Sequence, residues 1–341
     1  MTERDLDLAG ITDPGLRAAY ATSTALFRAR GRGRFSAHYL FPRAKRPYLD
    51  AFFAFVTYVD DIVDDSARSI AVRAQRLTEW ERAFHARARD EGAPTPAPHA
   101  SGDERADAAL ARALVHVMRT WDLPLHRVPE YLEGQRRALT TTAYATGEQL
   151  DQFIQPVTLL PAVWVNQIFE PQRPEAEELC RRTITAFQLL DFLWDIHEDL
   201  ELGRLYLPDE DLTRFGLDRE RLEQLVGSGQ AARPLRALVR FEIERARAHL
   251  DAGRDWPRTL HPTSRTFLRL DIGTHDQMIT ELLRNDCEFF SRPRKGMGFF
   301  SARVVPRTLR AVARAARINR LAEQRGYRPP PPHPATSAES S

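Results

Sequence analysis

The sequence predicts an all-α protein, and three observations lead to this prediction. Ala, Leu, Arg and Glu, which favour helices, dominate along all 341 residues. No segment of strand length alternates between apolar and polar residues and ends in an Asn-Gly or Asp-Gly turn. Two apolar segments carry carboxylates at helical spacing. Length alone allows one domain or two, and we expect a single helical bundle over residues 1–327.

The first predicted helix begins at Asp13 and Pro14, an N-cap followed by a first-turn proline, and runs to about Arg30. A basic segment follows it and includes Arg43 and Lys45. Scattered basic residues are usually solvated surface charges, but a cation directly before an acidic helix can also bind the anion that a metal ion carries. Arg43 and Lys45 are therefore candidate substrate-binding residues.

The first acidic segment reads FFAFVTYVDDIVDD from Phe52 to Asp65. Asp60 and Asp64 are four residues apart, and Asp61 and Asp64 are three apart, so a helix places these carboxylates on one side within about a turn. Apolar residues surround them, and desolvated like charges are costly unless they are paired or bind a metal ion. A hard cation such as Mg²⁺ removes both costs. The ordinary alternative is a solvated acidic face or a set of helix caps.

Between the two acidic segments, the chain predicts four helices and one loop. The stretch at 92–102 is rich in Pro, Ala and Ser and has no core residues, which indicates a loop. The most apolar of the four helices should be kinked near Pro156 and Pro161. The predicted helices run from Ile70 to Arg89, Ala106 to Trp121, Val128 to Ala145 and Glu148 to Phe169.

The second acidic segment, residues 187–208, reads FQLLDFLWDIHEDLELGRLYLP. Gln188, Asp191, Asp195 and Asp199 follow one another at spacings of three, four and four, which places them on a single face of a helix. The residues around them are apolar. The segment ends in the ordered turn GRLYLP, which contains the candidate substrate-binding residues Arg204 and Tyr206.

The C-terminal third predicts further helices and a tail. The last helix is basic and amphipathic; such a helix can rest on anionic lipid, which would make a peripheral membrane contact, although more often it packs on its own domain. The Pro-rich tail at 328–341 should be disordered. The predicted helices lie near Leu222, from Pro234 to Ala252, from Ser264 to Phe290 and from Pro306 to Gln324.

Composition and termini narrow the class of protein. The net charge of +2 gives no bulk attraction to nucleic acid. Cys180 and Cys287 are too few and too far apart to predict a disulfide framework or a zinc site. The start, MTERDLDLAG, lacks the pattern of a signal peptide, and the most apolar run is interrupted by polar residues and prolines. We expect a soluble cytoplasmic protein.

The two acidic helices together predict a reaction. If their carboxylates face each other across an apolar cavity, several Mg²⁺ ions would lie at one end of that cavity. A prenyl diphosphate, with a polyanionic head and an apolar tail, has the matching shape. Mg²⁺ would make the diphosphate a better leaving group, and a dry aromatic wall would protect the resulting cation from water. Phe53 and Tyr58 are candidate wall residues, although either can equally be an ordinary core aromatic.

The segments LFPRAKRPYLDAFFAFVTYVDDIVDD and FQLLDFLWDIHEDLELGRLYLP resemble the two signature regions of the squalene/phytoene synthase family. The resemblance implies an isoprenoid synthase-type helical bundle that requires Mg²⁺ and joins prenyl diphosphates head to head. It implies metal binding and catalysis by both acidic segments. The implied residues are Asp60, Asp61 and Asp64 in the first motif, and Asp195 and Asp199 in the second, with Gln188 and Asp191 beside them.

Several positions depart from the pattern of the family. Thr57 stands where an Arg that binds diphosphate is usual, and Trp194 where Arg is frequent. Asp191 replaces an Asn, Ala138 replaces an Asp, and residues 158–160 lack a small Ala-Gly step. Fewer cations and an added carboxylate should weaken a site for two diphosphates. These departures favour transfer of one prenyl group to a small aromatic acceptor, as in divergent phytoene-synthase-like prenyltransferases of specialised metabolism.

Three other functions stay open. Head-to-head condensation of two prenyl diphosphates, giving a squalene- or phytoene-like product, needs no second type of acceptor. A terpene cyclase would use the same acidic metal site but release a hydrocarbon from one substrate. A non-catalytic helical protein could hold Ca²⁺ with these acids, although EF-hand spacing is absent.

Overall fold

The computed structural model describes residues 1–30, 34–89, 101–229, 232–284 and 297–333, and within these ranges it contains helices and no β-strand. The predicted all-α, single-domain bundle is confirmed. Short 3₁₀ turns at Arg34–Leu40, Leu125–Arg127 and Trp256–Thr259 join some of the helices. The helices are α1 (Glu3–Leu8), α2 (Pro14–Arg30), α3 (Arg46–Asp64), α4 (Ile70–Arg89), α5 (Gly102–Thr120), α6 (Val128–Ala138), α7 (Gly147–Ile154), α8 (Leu160–Ile168), α9 (Ala176–Trp194), α10 (Ile196–Glu201), α11 (Asp209–Arg214), α12 (Arg219–Gly227), α13 (Arg233–Gly253), α14 (Pro262–Arg284) and α15 (Met297–Gln324).

Local sequence explains where several helices begin. The Asp13 carboxylate accepts a hydrogen bond of 2.6 Å from the Leu16 backbone N–H, which caps α2 at the predicted position. Ser101 and Glu104 exchange side-chain and backbone hydrogen bonds at the start of α5, in a capping box. The predicted 92–102 loop lies almost wholly outside the described residues.

The long apolar helix predicted over 148–169 is present as α7 and α8 joined by a π-helical turn, Gln155–Leu159. Proline lacks the N–H that an α-helix needs, so the wider turn accommodates Pro156. Gly134 of α6 lies against this turn, and a side chain at position 134 would meet Pro156 at 2.9 Å. The kink predicted near Pro156 is therefore present as a π-helical turn, and this turn packs against α6.

Two predicted helices end earlier than their sequence pattern suggested. The helix expected over 128–145 ends at Ala138, because the carbonyls of Thr142 and Tyr144 accept hydrogen bonds from the backbone N–H groups of Leu205 and Asp209. The helix expected through the second acidic segment is interrupted at Asp195, which separates α9 from α10. The four polar residues from 188 to 199 therefore do not share one continuous helix.

Two apolar clusters form the core. One surrounds the buried face of α3, where Phe52, Phe55 and Val59 are almost fully buried. The other surrounds α9 and α13 and buries residues such as Leu190. Phe153 packs against both clusters, so the helices that carry the two acidic segments belong to one body. None of the described helices is both long and apolar enough to cross a membrane.

The C-terminal helix α15 packs on α14 and on the 3₁₀ turn before α3. The Asn319 side-chain amide donates a 3.1 Å hydrogen bond to the Leu40 carbonyl. Beyond α15, the His333 backbone N–H donates to the Arg119 carbonyl. The disordered tail stays a prediction, and its residues 334–341, like Cys287 and the end of the helix predicted to Phe290, lie outside the described residues.

Candidate active site

The first acidic segment forms the C-terminal part of α3. Val59 and Val63 are buried beneath it, whereas Asp60 is half-buried and Asp64 is exposed at the end of the helix. Asp60 lies close to α6, because burial and the Asp60 charge both raise the pKa of the Tyr131 hydroxyl. The helix therefore holds Asp60 and Asp64 at the surface of the apolar core, one turn apart.

The second acidic segment surrounds the break between α9 and α10. The Asp195 backbone N–H donates to the Asp191 carbonyl at 2.8 Å, and the Asp199 N–H donates to the Asp195 carbonyl at 2.9 Å. These bonds preserve the helical path through the interruption. Asp195 and Asp199 are half-buried, whereas Asp191 is exposed.

The two acidic segments meet at Arg204. Its Nη1 lies 3.0 Å from the Asp64 carboxylate, across 140 residues of sequence. Burial raises the pKa of the Asp199 carboxyl to about 7, and the charges of Asp195 and Asp64 add to that rise while Arg204 opposes it. Carboxylates from both segments therefore share one electrostatic environment.

A tight turn places Arg204 between the segments. Gly203 has a φ of 74°, which a residue with a side chain rarely adopts. The Arg204 backbone N–H then donates back to the Asp199 carbonyl at 2.7 Å, and Arg219 donates to the Gly203 carbonyl at 2.8 Å. The turn predicted from GRLYLP therefore orients Arg204 toward α3.

Aromatic side chains line the core beside this turn. Tyr206 stacks on Phe192 of α9 with ring centroids 4.2 Å apart and an interplanar angle of 8°. Tyr144 and Phe153 lie 5.9 and 5.7 Å from the same Tyr206 ring. These four rings make a continuous apolar surface next to the second acidic segment.

Gln188, the other predicted site residue on α9, contacts the π-helical turn. Its Oε1 accepts a 2.9 Å hydrogen bond from the Thr158 hydroxyl. Gln188 and Thr158 therefore link α9 to the turn at 155–159, two helical turns before Asp195.

Asp61 and Tyr58 face a different neighbourhood from Asp60 and Asp64. The Asp61 carboxylate pairs with Arg30 of α2 at 3.1 Å, and the Arg30 guanidinium also lies 5.9 Å from the Tyr58 ring centroid. The Tyr58 hydroxyl donates to Asp107 at 2.7 Å and accepts from Arg76 at 2.8 Å. In this structure, Tyr58 therefore belongs to a buried network that ties α3 to α4 and α5.

The structure does not bring Arg43 and Lys45 to the acidic segments. Lys45 is fully buried at the start of α3, about 20 Å from Asp60 at the helical rise of ~1.5 Å per residue. Its ammonium pairs with Glu170 and contacts the Ser264 hydroxyl at 3.0 Å. Arg43 lies in the same region, where its backbone N–H donates to Glu323.

Phe53 packs between α2 and α3. Its ring stacks on Phe27 with centroids 5.7 Å apart and contacts Phe52 edge to face. Phe53 is partly buried, as a wall residue or an ordinary core aromatic would be.

One protein-family model, described as squalene/phytoene synthase, matches residues 27–317. The chain belongs to this family. The resemblance seen in the two acidic segments is thus confirmed over most of the chain, and so is the predicted enzyme class, because members of the squalene/phytoene synthase family are prenyltransferases.

Named relatives agree with the family. A bifunctional CrtB/UppS protein of Streptomyces coelicolor is 27% identical over 335 residues, which cover 97% of this chain and 53% of that protein, so the chain spans about half of its length. A 15-cis-phytoene synthase of Synechocystis sp. is 28% identical over 265 residues, 74% of this chain and 73% of the relative. The structure of a squalene synthase from Alicyclobacillus acidocaldarius matches with a TM-score of 0.70 and 25% identity, over 82% of this chain and 98% of that one.

The donor atoms of the two acidic segments are of the type that a hard divalent cation binds. The carboxylates of the two segments provide the oxygen ligands that Mg²⁺ prefers, and the raised pKa of Asp199 reflects burial and repulsion that such a cation would relieve. Among the described residues, no three carboxylate, imidazole or thiol groups lie close enough together to hold one metal ion. Mg²⁺ binding and the roles of the six aspartates therefore stay predictions.

Three residues of the site region were not predicted from the sequence. Arg30 pairs with Asp61 from the end of α2, and no spacing in the sequence relates these positions. Tyr144 and Phe153 join the aromatic surface, but residue 144 had been assigned to a helix rather than to the segment that pairs with the GRLYLP turn. The run of small polar residues TTTAYATG around Tyr144 is the sequence signal that could have indicated a non-helical segment.

Proposed function

We propose that this protein ionises an allylic prenyl diphosphate with the help of Mg²⁺ and joins its prenyl group head to head to a second prenyl diphosphate. The contact between Arg204 and Asp64 carries the proposal, because it joins the two acidic segments of a squalene/phytoene synthase family member. The residues proposed to hold the metal and its diphosphate are Asp60, Asp64, Asp195 and Asp199, with Asp61, Asp191 and Gln188 beside them.

Each proposed residue has a physical role. Asp60 and Asp64 from α3, and Asp195 and Asp199 from the α9–α10 break, would supply carboxylate oxygens. Bound Mg²⁺ would neutralise the diphosphate and make it a better leaving group. Arg204, already beside Asp64, would donate to a diphosphate oxygen as the allylic carbon–oxygen bond breaks and the bonding pair leaves with the diphosphate.

The aromatic surface would contact the apolar prenyl chain of the substrate. The stacked rings of Phe192 and Tyr206 would exclude water from one side of the acidic segments. An allylic cation formed there would meet a π-face instead of a nucleophilic oxygen, and such faces attract cations. The carbon–carbon bond would then form with the double bond of the acceptor, followed by loss of a proton.

The relatives favour a second prenyl diphosphate as the acceptor. They include named phytoene synthases and a squalene synthase structure, whereas none of the reported relatives carries the name of an aromatic prenyltransferase. The aromatic acceptor favoured by the sequence departures thus lacks support from the comparisons.

One observation keeps the aromatic acceptor as a second candidate. Position 57 holds a Thr, and Arg30, Arg68 and Arg204 are each already paired with a carboxylate of the first acidic segment. A second diphosphate would need cations that these ion pairs have partly neutralised.

One incubation distinguishes the two candidates. The purified protein would receive Mg²⁺ and prenyl diphosphates of several chain lengths, with or without a panel of small phenols and indoles, and products would be identified by mass. Head-to-head condensation yields a dimeric prenyl product and diphosphate from the prenyl substrate alone. Product formation only when an aromatic compound is present would overturn the main proposal, and no diphosphate release under any condition would overturn both.

A further inference from the structure

Helix α15 presents an exposed face that is basic and contains no acidic residue. Residues 310, 314, 317 and 321 repeat at helical spacing, and 309 and 320 form an adjoining row. All six are exposed, and Leu309 and Leu321 keep 65% and 44% of their surface accessible. We call this set the basic face; it consists of Leu309, Arg310, Arg314, Arg317, Arg320 and Leu321.

The opposite side of α15 already attaches the helix to the protein. Ala315 and Asn319 are buried, and the Asn319 amide donates to the Leu40 carbonyl. Arg307, which precedes Arg310 and Arg314 in the same helical row, donates to the Gly273 carbonyl of α14. Because Ala315 and Asn319 lie on the inner side and Arg307 is not one of the six residues of the basic face, these packing contacts do not account for that face.

The positive charge extends onto α14. Burial lowers the pKa of Arg269, and the charges of Arg314, Arg265 and Arg258 lower it further, so these guanidinium groups lie close together. Within the described part of the chain, Arg310, Arg314, Arg317 and Arg320 form no ion pair with a carboxylate. Among the described residues, these cations therefore lie together without a paired carboxylate, which favours an anionic partner.

We propose that the basic face docks on an anionic lipid surface. Arginine guanidinium groups match lipid phosphates, and the two exposed leucines match the acyl boundary beneath them. Nucleic acid would satisfy the arginines but leave Leu309 and Leu321 in water, so lipid fits both features. This inference goes beyond the proposed function and does not depend on it, since vesicle binding is measured without turnover.

The test is flotation of the full chain with vesicles. We expect binding to phosphatidylcholine vesicles that contain phosphatidylglycerol, no binding to pure phosphatidylcholine, and weakening by salt. The triple variant Arg310→Gln, Arg314→Gln, Arg317→Gln should bind roughly a hundredfold more weakly, since each basic residue at the surface contributes about fivefold.

A matched control removes the same net charge elsewhere. Arg4→Gln, Arg105→Gln and Arg221→Gln change exposed arginines on α1, α5 and α12, and this variant should bind like the unaltered protein. Leu309→Ser with Leu321→Ser should weaken vesicle binding while all charges remain. Equal binding by the arginine triple variant and the control would overturn the proposal. So would binding to a DNA oligonucleotide that exceeds vesicle binding and is lost in the same triple variant.

Discussion

Asp64 is the residue at which the two acidic segments meet. Asp64→Asn keeps the size of the side chain but removes the charge that pairs with Arg204 and that would bind Mg²⁺. Loss of a metal ligand should cost several kcal/mol of transition-state stabilisation, which corresponds to roughly a hundredfold or more in rate. We expect Mg²⁺-dependent diphosphate release to fall by that factor while far-UV circular dichroism stays unchanged.

The neighbouring Asp65 provides a control for this variant. Asp65 pairs with Arg68 at 3.0 Å, and it is not one of the carboxylates proposed to bind the metal. Asp65→Asn therefore removes one carboxylate from the same acidic run without removing a proposed metal ligand. If Asp65→Asn lost as much activity as Asp64→Asn, the effect would reflect net charge near the end of α3 rather than a metal ligand.

Glu242 should make the free energy of unfolding depend on pH. It is buried on α13, and burial raises the pKa of its carboxyl to about 8, with Arg245 opposing and Asp211 adding to the rise. The unfolded chain would release this proton near its ordinary pKa of 4.5, so between about 4.5 and 8 the folded protein binds more protons than the unfolded one. The free energy of unfolding therefore falls as pH rises through this interval.

Glu242→Gln should remove this dependence, because the amide stays neutral at every pH. Urea unfolding at pH 5.5 and 8.5 should show that the free energy of unfolding falls by about 3 kcal/mol more in the unaltered protein than in the variant, at ~1.4 kcal/mol per pH unit up to the pKa. If both proteins lost the same unfolding free energy between pH 5.5 and 8.5, Glu242 would already be ionised in the folded protein and paired with Arg245.

At the scale of elements, the packing of α9 on α13 supports the second acidic segment. Gly253 at the end of α13 is buried against α9, where an added methyl group would lie 2.7 Å from the Thr183 backbone nitrogen and 2.8 Å from the Leu179 carbonyl oxygen. Backbone atoms cannot move aside as a flexible side chain can. Gly253→Ala should therefore lower the free energy of unfolding by about 1–3 kcal/mol, measured by urea titration.

Gly227 is the matched control, since it also ends a helix but has no neighbour within 4 Å of an added methyl group. Gly227→Ala should be neutral or stabilising by up to about 1 kcal/mol, because it restricts the unfolded chain. If Gly253→Ala and Gly227→Ala changed the free energy of unfolding by the same amount, helix propensity rather than the close approach of α13 to α9 would explain the effect at position 253.

The helices themselves were largely predictable from local sequence. The ends of α2 and α4 agree with the pattern, because Asp13 caps α2 and apolar spacing defines α4. The break at Asp195 and the early end of α6 were not predictable. The early end of α6 depends on contacts with residues distant in sequence, such as the hydrogen bond from Leu205 to Thr142, and helical periodicity contains no information about them.

At the scale of the whole molecule, the sequence indicated which acidic segments belong together but not the partners of the basic residues. The spacing of carboxylates among apolar residues marked both segments, and Arg204 joins them as the shared site requires. Lys45 was expected beside the site because it precedes α3 in sequence. Yet α3 is 19 residues long, so its two ends lie roughly 28 Å apart, and Lys45 pairs with Glu170 at the far end.

The buried Lys45 belongs to a cluster of four residues that are distant from one another in sequence. Glu170 accepts hydrogen bonds from the Lys45 ammonium and from the Tyr327 hydroxyl, and Ser264 completes the cluster. Glu170→Gln would leave the Lys45 charge buried without a counter-charge, and we expect the free energy of unfolding to fall by about 3–5 kcal/mol. Chemical denaturation at constant pH measures this loss.

The double variant Lys45→Met with Glu170→Gln tests both the energetics and the placement of Lys45. Removing the ion along with its partner should recover most of the stability, because an apolar side chain pays no desolvation cost in that position. Diphosphate release should also stay near that of the unaltered protein, since Lys45 lies about 20 Å from Asp60. A folded double variant that released no diphosphate would instead place Lys45 at the substrate, as its position in the sequence suggested.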